Sequence, residues 1–404
     1  MLETPSRIEP ARLEETVPPA TADLAGELMT RARDLGRQLH PATRAELADM
    51  VRVLNSYYSN LIEGHKTRPR DIERAMNDDL DAVEPERRAL AQEARIHVDL
   101  QRWIDRQHAA GTLPPPTSVA FLRDLHRRFY EEMPGEFRRL TLSSTKPTDE
   151  ERSVAVVPGA FRTRTEEDVA VGDHHPPSSD RVSDFMAHFE RRYGPAKPSI
   201  STVLAFPAAH HRFNYIHPFV DGNGRVSRLM SHAMAHAAGI GADGLWSISR
   251  GLSRGLEGRG DYKAMMARAD IPRQGSRDGR GNLSERALIE FTDWFLTVCI
   301  DQVRFVAGLF DLATLERRIA KVVSLLDLDP RGMRLIEAVL GAGELPRGSA
   351  KLVIGEPERT SRRVLAAYVK AGLLASEGEK TPVRLAFPRD HHEVLFPSLF
   401  ADGY

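Results

Sequence analysis

Apolar residues recur at three- and four-residue spacing along most of the chain, a pattern that predicts helices rather than strands. Between Pro41 and Gly64, Leu47, Val51, Leu54, Tyr58 and Leu61 make one apolar stripe. Thr43 is placed to cap that helix, with Glu46 three residues on as a capping box, and Gly64 to end it in a left-handed turn. Helical patterning resumes over 69–110 and stops at Gly111 and Pro114-Pro115-Pro116. Residues 117–133, 181–193 and 199–215 read as further helices, and another opens within 217–228 and runs to about Gly239. Residues 285–325 predict one or two more, with Phe291, Trp294, Phe295 and Val298 on a common face. The intervening stretch 134–180 is punctuated by Gly and Pro. Inside it Val169-Ala170-Val171 alternates briefly, as a short strand or hairpin would. Residues 330–390 change character: three short helical patterns, then a pair of strands bounded by Gly378 and Pro382.

With 404 residues, 41% of them hydrophobic and 28% charged, the chain can bury a sizeable core in two or three domains. Acidic and basic residues balance to a formal charge of −1, so no global field draws it to nucleic acid or an anionic membrane. Eight lysines against 48 arginines fit a GC-rich genome as well as any function. The lone Cys299 excludes a disulfide framework and a cysteine-based zinc site. Residues 1–20, broken by Pro5, Pro10, Pro18 and Pro19, read as a loose tail with no apolar signal-peptide region. No apolar run reaches membrane-spanning length, and the expected compartment is the cytoplasm.

The segment His217-Pro218-Phe219-Val220-Asp221-Gly222-Asn223-Gly224-Arg225-Val226-Ser227-Arg228 carries the chemistry. Pro218 keeps His217 out of helical geometry, on a loop. Gly222 and Gly224 strip side chains from the start of a helix, leaving its first N–H groups open to phosphate. Asn223 adds a side-chain amide. Arg225 and Arg228 share a helix face, where guanidinium groups can grip further phosphate oxygens. Asp221 sets a hard oxygen ligand beside that cradle, suited to Mg2+ on a polyphosphate. His217 is the one group here whose ordinary pKa suits removal of a hydroxyl proton near neutral pH. A merely capped helix with two solvated arginines leaves most of these positions unexplained.

Those twelve residues resemble the signature of the Fic domain family, His-x-Phe-x-Asp/Glu-Gly-Asn-Gly-Arg-x-x-Arg, at every specified position. Ala208-Ala209-His210-His211-Arg212-Phe213 before it, and Pro158-Gly159-Ala160-Phe161-Arg162 through Pro176-Pro177, are similar to the family's flanking and flap regions. The resemblance covers about 115–310 and, more weakly, 40–64. It implies transfer of AMP from ATP to a Ser, Thr or Tyr hydroxyl of a target protein, itself included. His217 would be the general base and Asp221 the ligand of Mg2+, with Mn2+ as an alternative. Gly222, Asn223 and Gly224 would form the anion hole, and Arg225 and Arg228 would bind the β- and γ-phosphates. Phe219 would anchor the loop. Val169 and Val171 would lie on a flap hairpin to which a target segment adds by main-chain pairing, against the plain alternative of a surface loop. Tyr262 stands near the expected adenosine pocket, although Asp261-Tyr262-Lys263 replaces the double Tyr often seen.

Ser59 and Glu63 fall on one face at the end of the first long helix, where the helix's negative end disfavours a carboxylate, so Glu63 either finds a cation or stands exposed where screening makes the cost small; by itself it reads as a solvated surface Glu before a Gly cap. Ser59-Asn60-Leu61-Ile62-Glu63-Gly64 resembles the Fic inhibitory motif, which implies a Glu63–Arg228 ion pair obstructing productive ATP binding and several-fold more automodification in Glu63→Gly. The adjacent pairs His174-His175, His210-His211 and His391-His392 read as solvated or core histidines rather than metal ligands. The expected fold is mainly α: a flexible tail over 1–20, a helical region over 21–114 carrying the brake, a helical Fic-type core with a short β-hairpin flap over 115–325, and a winged helix over 326–404. Ser349 would cap the second helix of that last unit. Its third helix, around 358–370, carries Arg359, Arg362, Arg363 and Lys370, which permits DNA contacts but fits packing or homodimerisation better. The leading expectation is an autoinhibited protein adenylyltransferase. The alternatives are a nucleotide-sensing DNA-binding regulator and an enzyme that uses the inhibitory Glu to remove AMP.

Overall fold

Proline decides where the early helices begin. A computed structural model describes residues 4–10, 17–37, 39–142, 152–194, 198–378 and 380–400. Four helices start on Pro, whose missing N–H costs nothing in a first turn: α1 Pro19–Asp34, α2 Pro41–Ile62, α3 Pro69–Met76 and α4 Pro85–Ala109. This corrects two expectations. Thr43 does not cap α2, because Pro41 already occupies the first turn and the His40 imidazole accepts the Ala42 amide at 3.2 Å. The run over 69–110 is two helices, because Pro85 starts a new one after a short turn at Leu80–Ala82. Residues 4–10 are no loose tail either. Ile8 is buried, Arg7 donates to the Tyr215 hydroxyl, and Glu9 pairs with Arg192 at 2.9 Å.

Ser118 caps α5, Val119–Glu131, by accepting the Phe121 amide. Strands β1 Arg139–Leu142 and β2 Arg152–Ala155 pair antiparallel, Leu140 opposite Val154 and Thr141 opposite Ser153. The hairpin therefore precedes the place expected for it. At 169–171 only Val171 makes a single bridge, to His174, across the turn that Gly172 (φ +60°) makes. Val169 is half-buried and Val171 is 48% exposed. Then come α6 Val182–Tyr193, α7 Ile200–Ile216, α8 Asn223–Ala237, α9 Ser249–Arg254, α10 Asp261–Ala269, α11 Glu285–Phe310 and α12 Leu312–Leu325. α8 lies at the centre, packed on α7, α4 and α5, and nearly every one of its side chains is buried.

The C-terminal part runs α13 Met333–Ala342, β3 Glu344–Leu345, α14 Ala350–Ile354, α15 Glu358–Lys370, β4 Leu374–Ala375, β5 Val383–Leu385 and α16 His392–Leu395. The strands form an antiparallel sheet in the order β3-β5-β4. Ser349 makes no side-chain capping bond to α14, since the chain enters through a 3-10 turn at Arg347–Ser349. The last described residues return to α2: the Tyr58 hydroxyl donates to the Leu399 carbonyl (3.1 Å), and the Tyr57 ring meets Phe400 edge-on. Among the described residues no helix is long and apolar enough to cross a membrane. The fold is mainly helical with small antiparallel sheets, as expected.

Candidate active site

The loop between α7 and α8 is built around a backbone that most residues avoid. His217 closes α7 in the left-handed region (φ 49°, ψ 61°), its amide still bonded to the Phe213 carbonyl. Such a conformation persists only where the surroundings hold it. Here Arg162, 1% exposed, does so: it donates to the carbonyls of His217 (2.8 Å), Ile216 (3.0 Å) and Pro177 (2.5 Å) and to Ser179 Oγ (3.0 Å). The strap 158–162 is thus a buried support of the loop, its Arg162 amide also donating to the Pro218 carbonyl. Phe219 is fully buried, stacked on His126 at 3.9 Å, so it anchors the loop. His126 Nδ1 accepts the Gly159 amide, which leaves Nε2 to donate to the Asp221 carbonyl.

Burial, with the Arg162 guanidinium nearby, pulls the His217 imidazole down to about 4. It is therefore neutral at pH 7, a lone-pair acceptor rather than a cation. Asp221 Oδ2 accepts the Tyr130 hydroxyl at 2.6 Å, and its side chain is 37% exposed. Burial alone would raise the Asp221 carboxyl, but Arg225 and the Tyr130 bond outweigh it and keep it ionised. One hard carboxylate oxygen beside a phosphate cradle is the donor set Mg2+ uses, the remaining ligands being water and phosphate. Asp221 fits that ion.

Gly222 (φ +81°) caps α8, and a Cβ there would come within 2.8 Å of the Tyr130 ring. Asn223 has a structural task as well. Its side chain accepts the Phe219 amide (2.9 Å) and donates one N–H to the Phe219 carbonyl (2.8 Å), which locks the loop and leaves its second N–H uncommitted by that pair. The two arginines are also engaged. Arg225 Nε lies 2.8 Å from Glu93 of α4, and its Nη1 donates to Tyr130 Oη at 3.0 Å. Arg228, 1% exposed, donates from Nε to Ser59 Oγ (2.9 Å) and from Nη2 to Glu63 Oε1 (2.6 Å). The end of α2 thus sits on α8, and Glu63 fills the space that Gly224 leaves: a Cβ there would meet Glu63 Oε1 at 2.3 Å. Burial pushes the Glu63 carboxyl up, and Arg228 and Arg225 pull it below its ordinary value.

The structure brings His217, Asp221, Gly222, Gly224, Arg225, Arg228 and Glu63 around one helix N-terminus. Tyr262 lies nearby but is buried, its hydroxyl hydrogen-bonded to His210 Nε2 (2.8 Å), which binds Ser231 in turn. Val169 and Val171 lie outside the hairpin. Sequence reasoning missed Glu93, Tyr130 and Arg162. Glu93 belongs to a polar series at four-residue spacing on α4, Glu93, His97, Gln101 and Asp105, all facing inward, and that spacing was the available signal.

Residues 116–235 match the model of the Fic/DOC family. Over 82 residues the chain is 39% identical to "Protein adenylyltransferase Fic" of Drosophila sechellia, and equally to that of Drosophila melanogaster. The Aedes aegypti protein of the same name is 39% identical over 72 residues. The two Drosophila matches cover 20% of this chain and 16% of those proteins, and the Aedes aegypti match 18% and 14%. The chain therefore aligns with less than a fifth of the curated relatives' length. A solved Fic family protein from Desulfovibrio desulfuricans G20 superposes with a TM-score of 0.51 over 94% of this chain and 98% of its own, at 18% identity, a likeness of fold. The motif 217–228 lies wholly inside the residues matched to the Fic/DOC family, whereas Glu63 lies outside them.

Proposed function

We propose that the chain is a protein adenylyltransferase held back by Glu63. The observation that carries this reading is the pairing of Glu63 with Arg228 against Gly224, at the mouth of a helix N-terminus flanked by His217 and Asp221. ATP is the substrate, and the reaction joins AMP to a target hydroxyl and releases pyrophosphate. His217, neutral, accepts the hydroxyl proton on its imidazole as the oxygen attacks the α-phosphorus. The N–H groups that open α8 face the phosphates, with Gly222 and Gly224 allowing close approach. Asn223 acts through its backbone and its hold on the loop. Arg225, fixed by Glu93 and Tyr130, supplies charge to the β-phosphate, and Arg228 does so for the γ-phosphate once Glu63 has left. Mg2+ on Asp221 would neutralise charge building on the phosphates. We place target docking on the β1–β2 hairpin rather than at Val169 and Val171, since the hairpin has a strand edge to offer. The C-terminal unit reads as a winged helix by its order of elements, and its return to α2 favours a packing role over DNA binding.

The test compares Glu63→Gly with Glu63→Gly/His217→Ala after incubation with α-32P-ATP and Mg2+, alone and in lysate. Label on protein in the first and none in the second supports the reading. Absence of His217-dependent label from a folded Glu63→Gly protein favours the nucleotide-sensing regulator.

A further inference from the structure

The far end of α8 carries a second constellation, one turn and more beyond Arg228. His232 and His236 are four residues apart and so share a helix face. Both turn Nε2 to the same oxygen of Asp105 on α4, at 2.5 and 2.9 Å, and the two nitrogens lie 3.2 Å from each other. All three side chains are buried or nearly so, at 5, 2 and 10% exposure. We propose that Asp105, His232 and His236 form a binding site for one divalent transition-metal ion of the Zn2+ class.

Three donor atoms converge here without any charged partner between them. Zinc-bound nitrogen and oxygen ligands about 2.0–2.1 Å from the ion sit about 3.3 Å apart in a tetrahedron. The observed separations of 2.5, 2.9 and 3.2 Å are shorter, so binding needs the side chains to open by up to about 0.8 Å. Two imidazoles and one carboxylate, with no thiolate, suit Zn2+, Co2+ or Ni2+ better than Mg2+ or Ca2+. The surroundings orient the ligands as outer shells do. Arg52 of α2 holds the other Asp105 oxygen at 2.7 Å, leaving Oδ1 to face the histidines. The His108 ring packs on His236 at 4.6 Å. Gly241 lets the backbone press against His236, where a Cβ would stand 2.4 Å from Nδ1. Three protein ligands leave a fourth position for water. Bound there, the ion would cross-link α8 to α4 and, through Arg52, to α2. The site shares no residue with 217–228, so its metal binding is independent of the proposed reaction.

The full-length protein, stripped with chelator, is equilibrated with excess Zn2+, desalted and assayed for metal by mass spectrometry. Co2+ is titrated in parallel for its visible absorption. The site predicts one Zn2+ retained per chain, intense tetrahedral Co2+ bands that Zn2+ abolishes, and a higher thermal midpoint with Zn2+. His236→Gln, checked by circular dichroism, should weaken Zn2+ binding at least tenfold, whereas Asp221→Asn should leave it unchanged. Should His236→Gln fail to fold, the Co2+ spectrum of the wild-type chain decides alone. Zn2+ lost on desalting, octahedral Co2+ only, or equal retention by a folded His236→Gln overturns the proposal.

Discussion

Replacing Glu63 by Gly removes one half of an ion pair whose other half is shut away from solvent. The Arg228 side chain is 1% exposed and that of Glu63 31%, with 2.6 Å between Nη2 and Oε1. At an effective dielectric near 20, two charges about 4 Å apart attract by about 4 kcal/mol. The exposure of Glu63 and the cost of desolvating Arg228 reduce this to about 2 kcal/mol. A nucleotide that must displace Glu63 to reach Arg228 is therefore disfavoured about 30-fold. At ATP concentrations below saturation, Glu63→Gly should take up label from α-32P-ATP about 30 times faster than wild type. Glu63→Gln, which keeps an acceptor and loses the charge, should fall between. A second readout separates brake from fold. Without nucleotide the Gly variant should unfold at lower denaturant, because Arg228 keeps only Ser59 among the α2 groups that held it. ATP with Mg2+ should raise its thermal midpoint more than that of wild type. Equal labelling of two folded proteins would refute the reasoning, as would labelling that persists in Glu63→Gly/His217→Ala.

Gly224→Ala puts a Cβ 2.3 Å from Glu63 Oε1 and 3.0 Å from Arg228 Nη1, so it should destabilise the wild-type chain by about the same 2 kcal/mol and do far less in a Glu63→Gly background; additive losses in urea titrations would count against the contact. Arg162→Met leaves the carbonyls of Ile216, His217 and Pro177 without their buried donor, at about 1–3 kcal/mol each, so denaturant midpoints should fall sharply and labelling with them; a midpoint near wild type would show that the strap is not what holds His217. The His217 imidazole is lowered to about 4, so its neutral form persists above that value, and kcat/KM of Glu63→Gly should be flat from pH 7.5 to 5.5 and fall only towards pH 4. A midpoint near 6.5, the ordinary imidazole value, would mean that the base is solvated or is another group. His97 and His210, both lowered to about 3 by burial, bind protons more readily when unfolded, so stability should be lost progressively as pH falls below 6.5, which chemical denaturation at pH 7, 6 and 5 can measure.

The motif was legible because its demands are local. A proline after His217, two glycines at a helix start and two arginines on one face are all set within twelve residues, and they stand where the sequence indicated. The ion pair between Glu63 and Arg228 spans 165 positions and was reachable only through a family likeness, since nothing at Glu63 itself names its partner. The hairpin was misplaced because Val169-Ala170-Val171 alternates over only three residues, too few to outweigh the turn at Gly172 and the hold of Arg162 on Pro177 and Ser179 just beyond it. Asn223 carries a second task that its position does not announce: its side-chain amide pairs with both backbone groups of Phe219 and so fixes the loop.

The inner face of α4 carried a signal that was easy to take for its opposite. Glu93, His97, Gln101 and Asp105 recur every four residues, and in a helix rich in Arg such a series looks like a solvated edge. It is the reverse. Glu93 meets Arg225, Gln101 bonds Asn55 of α2 at 2.7 Å, and Asp105 gathers Arg52, His232 and His236. The motif helix is thus clamped along its length by polar groups of α4, while α2 reaches the same seam from its other side through Arg52, Asn55, Ser59 and Glu63. Polar contacts along the second half of α2 resist sliding far more than an apolar face would, because any shift strands a donor or a charge in low dielectric. Release of Glu63 is therefore easiest as a local opening of the last turn of α2, where Gly64 (φ +86°) ends the helix and Glu63 is partly exposed, and not as a movement of the whole helix.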